Sequence, residues 1–348
     1  MNKFLIFLPS LVFASVNIMD HALPSLSEYG FFKTPIKSQI TVDGIIPYKI
    51  ASPLFSDYAE KLRFIKIPKG NNIKTVDNHL IFPTGTTIIK TFYYPDDFRK
   101  INENKRLLET RLLIKTKTEW IAIPYVWNEE QTDAFLSLAG DRIPVSWINK
   151  KGVKTELLYS VPNMNQCKGC HVKNNILQPI GPKIRNLNMV YSFEGEDLNQ
   201  LKKWISFGLM EPIDNISTLP RTVNYENHMD GTLDQRARAW LDINCAHCHS
   251  SGGPAESSGL YLEYEEKNPA KIGVMKRPIA AGRGSGNLNY TIVPGYPELS
   301  ILDYRIRSTD PGIMMPELSR HMTHIEGVEL ISSWIKKMSF NNYDGDTK

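Results

Sequence analysis

The four cysteines of this chain fall into two pairs, Cys167-Lys168-Gly169-Cys170-His171 and Cys245-Ala246-His247-Cys248-His249. Each pair is a C-x-x-C-H, the attachment motif for c-type haem, and no cysteine is left over. The chemistry requires this arrangement. Two thiols one helical turn apart can add to the two vinyl groups of a porphyrin, and the adjacent histidine can then turn its imidazole onto the iron as a proximal ligand. Two covalently attached haem c groups are therefore expected, held by Cys167, Cys170, Cys245 and Cys248, with His171 and His249 on the irons. A zinc site would need four ligands shared between motifs about 78 residues apart that already offer Cys, Cys and His each. A dithiol redox pair would leave both histidines unexplained.

Export fits this chemistry. Met1-Asn2-Lys3 is followed by about eleven mostly apolar residues up to Ala14, the layout of a secretory signal peptide and too short to span a bilayer. The leader is expected over residues 1–22, with cleavage between about 14 and 22 or retention as an anchor, and a periplasmic location follows. No later run is long and apolar enough for a membrane span. Lys+Arg 41 against Asp+Glu 37 gives a formal +4 without a basic run, which argues against nucleic acid as a partner.

At roughly 100–200 residues per domain, 348 residues suggest two domains and an α+β chain. Residues 25–228 read as a β-rich domain that ends in the first haem site and a helix. Runs such as 86–94 and 110–114 are rich in β-branched and aromatic residues, with Pro-Gly-Asn-Asp punctuation between them. The spacing of Leu198, Leu201, Trp204, Ile205 and Leu209 predicts a helix over 195–210. Residues 229–340 read as a mostly helical domain carrying the second haem, and 341–348 as a polar tail. Thr232-Leu233-Asp234-Gln235 is a capping box opening a helix that leads into Cys245, and a last helix follows His324. Trp240 and Trp334 are expected where these two helices cross.

Met315, beside Pro316 on a loop before the last helix, is the expected distal ligand of the second iron, with Met314 as its nearest competitor. No such loop follows His171. Met189, Met210, His228 and Met229 are the candidates there, and an open sixth position is the alternative. Arg283, in a Gly-rich loop, is a candidate partner for a haem propionate.

The stretches 26–32 (LSEYGFF), 53–59 (PLFSDYA), 82–86 (FPTGT), 109–113 (ETRLL), 125–131 (YVWNEEQ) and 244–249 (NCAHCH) resemble a family of diheme c-type cytochromes of proteobacteria. The resemblance covers about residues 26 to 338 and implies two covalent haems in an exported protein. Residues 230–340 resemble a class I cytochrome c domain. More weakly, the strand from Gly85 to Lys90 is similar to that of β-sheet c-type cytochromes, in which a lysine can contact the porphyrin; a plain exposed strand lysine is the simpler expectation for Lys90.

The expected function is electron transfer with a redox protein partner. The rival is a diheme oxidoreductase, peroxidase-like or acting on a small nitrogen compound, in which an open first haem is the catalytic centre.

Overall fold

A computed structural model describes residues 22–340 except 194 and 319, so the expected leader, apart from its last residue, and the tail at 341–348 lie outside the described residues. The fold is α+β. Ten strands come first: β1 (Ile45–Pro47), β2 (Glu60–Lys66), β3 (Lys74–Val76), β4 (His79–Ile81), β5 (Thr87–Pro95), β6 (Lys105–Lys115), β7 (Trp120–Trp127), β8 (Ala134–Leu136), β9 (Asp141–Ile148) and β10 (Lys154–Val161). Six of them form one antiparallel sheet in the order β1-β2-β5-β6-β7-β8. The β3–β4 hairpin is inserted between β2 and β5, and its turn residues Asp77 and Asn78 both take positive φ, as tight hairpin turns require.

The sheet is buried on both sides, which is why its strands read as nearly continuous apolar runs. Phe64, Ile89, Leu112 and Ile123 face a cluster closed by Leu26, Phe31, Phe32 and Ile36 from the N-terminal segment. Ile65, Ile88 and Ala122, one pleat over, face the helical part of the chain.

Seven helices follow among the described residues: α1 (Met164–His171), α2 (Ile184–Leu187), α3 (Gln200–Ser206), α4 (Leu233–Asn244), α5 (Pro269–Ile272), α6 (Ile301–Arg307) and α7 (Ile325–Lys337). The helix expected over 195–210 is shorter. Glu196–Asn199 is extended and pairs with Val190–Phe193, and Asn199 then caps α3 by accepting from the Leu201 and Lys202 amides. The Thr232 capping box opens α4 as expected. Helices α4 and α7 pack closely at Gly327, where a Cβ would lie 2.4 Å from Trp240 Nε1. Trp334 ties the other end of the crossing by donating to Asp234 Oδ1 at 2.8 Å. Both tryptophans thus sit at the expected crossing.

The largest hydrophobic cluster runs without a break across residue 228, joining Ile65, Ile88 and Trp120 of the sheet to Trp204, Trp240 and Ile331 of the helices. A loop before β2 reinforces the junction. Asp57, 3% exposed, accepts from the amides of His321 and Met322 at 2.8 Å each. Phe55 donates its amide to Asn244 Oδ1 at 2.9 Å and stacks on His324 at 4.3 Å. Tyr58 donates to Glu326 at 2.9 Å and accepts from the Ile325 amide. No helix among the described residues is long and apolar enough to cross a membrane.

Candidate functional site

Between the inner face of the sheet and helices α1, α4 and α7 lies a cleft of about 1400 Å³, open mouth included. Its apolar wall includes Ile50, Ile88, Leu113, Ile243, Ile306 and Val328. Cys167, Cys170 and His171 reach it from the first motif, His247 from the second, and Met315 from the loop before α7.

The first motif is helical. Asn163 and Gln166 form a capping box at the start of α1, which sets Cys167 and Cys170 one turn apart at its end. His171 Nδ1 lies 2.9 Å from the carbonyl oxygen of Gln178. A carbonyl can only accept, so Nδ1 carries the proton and the Nε2 lone pair is left for a metal. Burial lowers the His171 pKa to about 3, so the ring is neutral, the form that ligates.

The second motif follows α4 directly. His249 Nδ1 is 3.2 Å from Ser258 Oγ, whose own proton goes to the Ala255 carbonyl at 2.7 Å. Ser258 must therefore accept, and Nε2 of His249 is again the free nitrogen. Burial lowers the His249 pKa to about 4.

The two motifs lie side by side. The Cys170 and Cys248 side chains interact directly; the hydrogen bond from Cys248, with His247 adding, draws Cys170 below the ordinary thiol range, while its partner is pushed up. The Asn174 amide donates to the Gly252 carbonyl at 2.8 Å. Gly252 has φ +73° and a Cβ there would fall 2.0 Å from Asn174 Oδ1, so this approach requires glycine. Lys173 and Glu263 add an ion pair at 3.2 Å. None of the four cysteines is in a disulfide. Burial raises the Cys167 pKa and pushes that of Cys245 up to about 12.

Met315 is half-buried on the cleft wall, while Met314 is buried away from it. The four distal candidates for the first iron are elsewhere: Met210 is packed in the core, Met229 is 92% exposed, His228 is bound to Arg236 at 3.0 Å, and Met189 lies beyond α2. Arg283 is not at the cleft; it pairs with Asp310 at 2.8 Å on the surface, because its loop packs outward. Lys90, in contrast, is no exposed strand lysine. Its strand presents it to the cleft wall, where burial lowers its pKa well below the usual value.

His247 and His324 escaped sequence reasoning. His247 is the variable residue of a C-x-x-C-H, and its Nδ1 is buried without a partner among the described residues. His324, just before α7, accepts from Trp240 Nε1 at 2.9 Å and lines the same cleft. Among the described residues no group of three or more His, Cys, Asp or Glu side chains is arranged to hold a metal ion. A mostly apolar cleft, the locked imidazole of His171 on its wall and unpartnered buried donors at its edge suit a large apolar group with acidic substituents, and haem c is such a group.

A scan against protein-family models found no match, and searches of curated proteins and of solved structures found none either.

Proposed function

We propose that this chain is a periplasmic diheme c-type cytochrome that carries electrons between redox protein partners. The observation that carries this reading is the side-by-side placement of two C-x-x-C-H motifs, each with a neutral histidine whose Nδ1 proton is already committed. Cys167, Cys170, Cys245 and Cys248 form the thioether links in this reading, His171 and His249 are proximal ligands, and Met315 is the distal ligand of the second iron. Covalent haem, when bound, supplies a one-electron iron couple.

The residues of the chain do the rest. Gln178 and Ser258 fix the imidazole tautomers, the apolar wall beside His171 would keep water from a group held there, and the contact at Asn174 and Gly252 holds the two attachment sites together. Export through the N-terminal leader, without a membrane span beyond it, belongs to the same reading, as does the absence of zinc and nucleic acid from its partners.

Expression with haem-maturation machinery followed by intact mass tests the proposal. Two covalent haems are expected; a chain that stays haem-free overturns it.

The displacement of Met189, Met210, His228 and Met229 from the cleft favours a second reading, in which the first iron keeps an open sixth position and the protein is a diheme oxidoreductase, peroxidase-like or acting on a small nitrogen compound. Low-temperature electron paramagnetic resonance of the oxidised protein with cyanide titration separates the two. Two inert low-spin irons support the carrier; a high-spin iron that binds cyanide supports the enzyme.

A further inference from the structure

Three cations stand in line across the inner face of the sheet. Arg63 on β2 is directly opposite Lys90 on β5, and Lys90 is directly opposite Arg111 on β6. All three line the cleft. The neighbouring row on the same face is apolar, Ile65 opposite Ile88 opposite Leu113, so the line interrupts a surface that is otherwise core-like. Like charges directly opposite each other destabilise a sheet unless something compensates them.

Glu109 compensates one. It is fully buried, grips Arg111 through two hydrogen bonds of 2.6 and 2.7 Å, and also accepts from the Tyr159 hydroxyl. Glu60 is an odd number of residues from Arg63 on the same strand, so it is on the opposite face of the sheet. Lys61 is turned to the Leu54 carbonyl at 2.7 Å. Arg63 and Lys90 are thus left without an ion-pair partner among the described residues. Arg63 Nη2 is buried with no hydrogen-bond acceptor, and Lys90 has only the Phe92 ring, 4.7 Å from its Nζ.

We propose that Arg63 and Lys90 form an anion site on the cleft wall, built to receive carboxylate or comparable oxyanion groups. Two unpaired cations match the two carboxylates of one porphyrin, and a guanidinium fork beside an ammonium suits either that source or a small diffusible oxyanion. The first source rests on the haem reading above; the second does not.

The test compares the purified, haem-counted protein with Arg63→Gln, Lys90→Gln and the charge-keeping Arg63→Lys, each checked for folding by circular dichroism. Redox titrations are run with and without inorganic phosphate. If the anion is a porphyrin carboxylate, both Gln variants lower one reduction potential, because a cation near the iron favours the reduced state. Arg63→Lys then restores it and phosphate has no effect. If the anion is diffusible, phosphate shifts a wild-type potential saturably, and its affinity falls about tenfold or more in either Gln variant, as expected for losing one charge-assisted hydrogen bond. Unmoved potentials in both variants together with no phosphate response overturn the proposal. Should the chain prove haem-free, the haem reading fails separately. Calorimetry with phosphate then decides the site: binding that the Gln variants lose sustains it, and no binding overturns it.

Discussion

A histidine becomes a useful iron ligand when something else takes its second nitrogen, and here the Gln178 carbonyl and Ser258 hydroxyl do so. Met315 completes the proposed set. Met315→Ala should abolish the methionine charge-transfer band of the oxidised protein and lower one reduction potential, both read by spectroelectrochemistry; an unchanged band would exclude Met315 as ligand. His324 gives a pH signature of its own. Burial lowers its pKa from 6.5 to about 4, so the folded chain keeps it neutral while the unfolded chain protonates it below about 6.5. The stability it supplies is complete above pH 6.5 and is lost as the pH falls toward 4, on the order of 3 kcal/mol across that window. Denaturant midpoints at pH 7 and 4.5 should show the loss, and His324→Phe should remove its share while leaving that of His171 and His249, whose pKa values are lowered in the same direction. At this scale the sequence was most readable where chemistry demands fixed spacing, as at Cys167, Cys170 and His171. It was silent on Arg63 and His247 and took Lys90 for an exposed strand lysine, because the meaning of these residues comes from register and from a neighbour far away in the chain.

Helices and strands were legible where local signals agreed. The Thr232 capping box marked α4, and the apolar spacing of Val328, Ile331, Trp334 and Ile335 marked α7. The helix expected over 195–210 was misjudged because Asn199 is a better cap than interior residue and the residues before it found a hairpin partner. Two substitutions probe how elements are joined. Gly327→Ala would place a methyl 2.4 Å from Trp240 Nε1 and 2.6 Å from His324 Nδ1, prising α7 from α4 at a cost of about 1–3 kcal/mol. Asp57→Ala removes an acceptor shared by two backbone amides and should cost about 2–4 kcal/mol. Thermal or urea unfolding measures both, and a loss below about 0.5 kcal/mol in either would mean that the junction is held elsewhere.

The two-domain expectation came from chain length and from the change of pattern after Cys167. One hydrophobic cluster runs from Ile65 to Ile331 through Trp204, and a one-dimensional pattern shows which face of an element is apolar but not what covers it. A shared core of this kind should unfold in a single transition. Circular dichroism and tryptophan fluorescence, with tryptophans at positions 120, 204, 240 and 334 spread across both halves, should give coincident midpoints. Separate midpoints would show independent units. The shared cleft also bears on the order of manufacture. Cys167 is 7% and Cys245 9% exposed, and burial weakens the acidity of both thiols. A chain that has already closed its cleft offers the attachment machinery only one partly exposed sulfur in each pair, with the other buried and weakly acidic. In the proposed cytochrome both prosthetic groups must therefore be loaded while the polypeptide is still open, which makes completion of the fold the final step of biogenesis and a checkpoint on whether loading occurred.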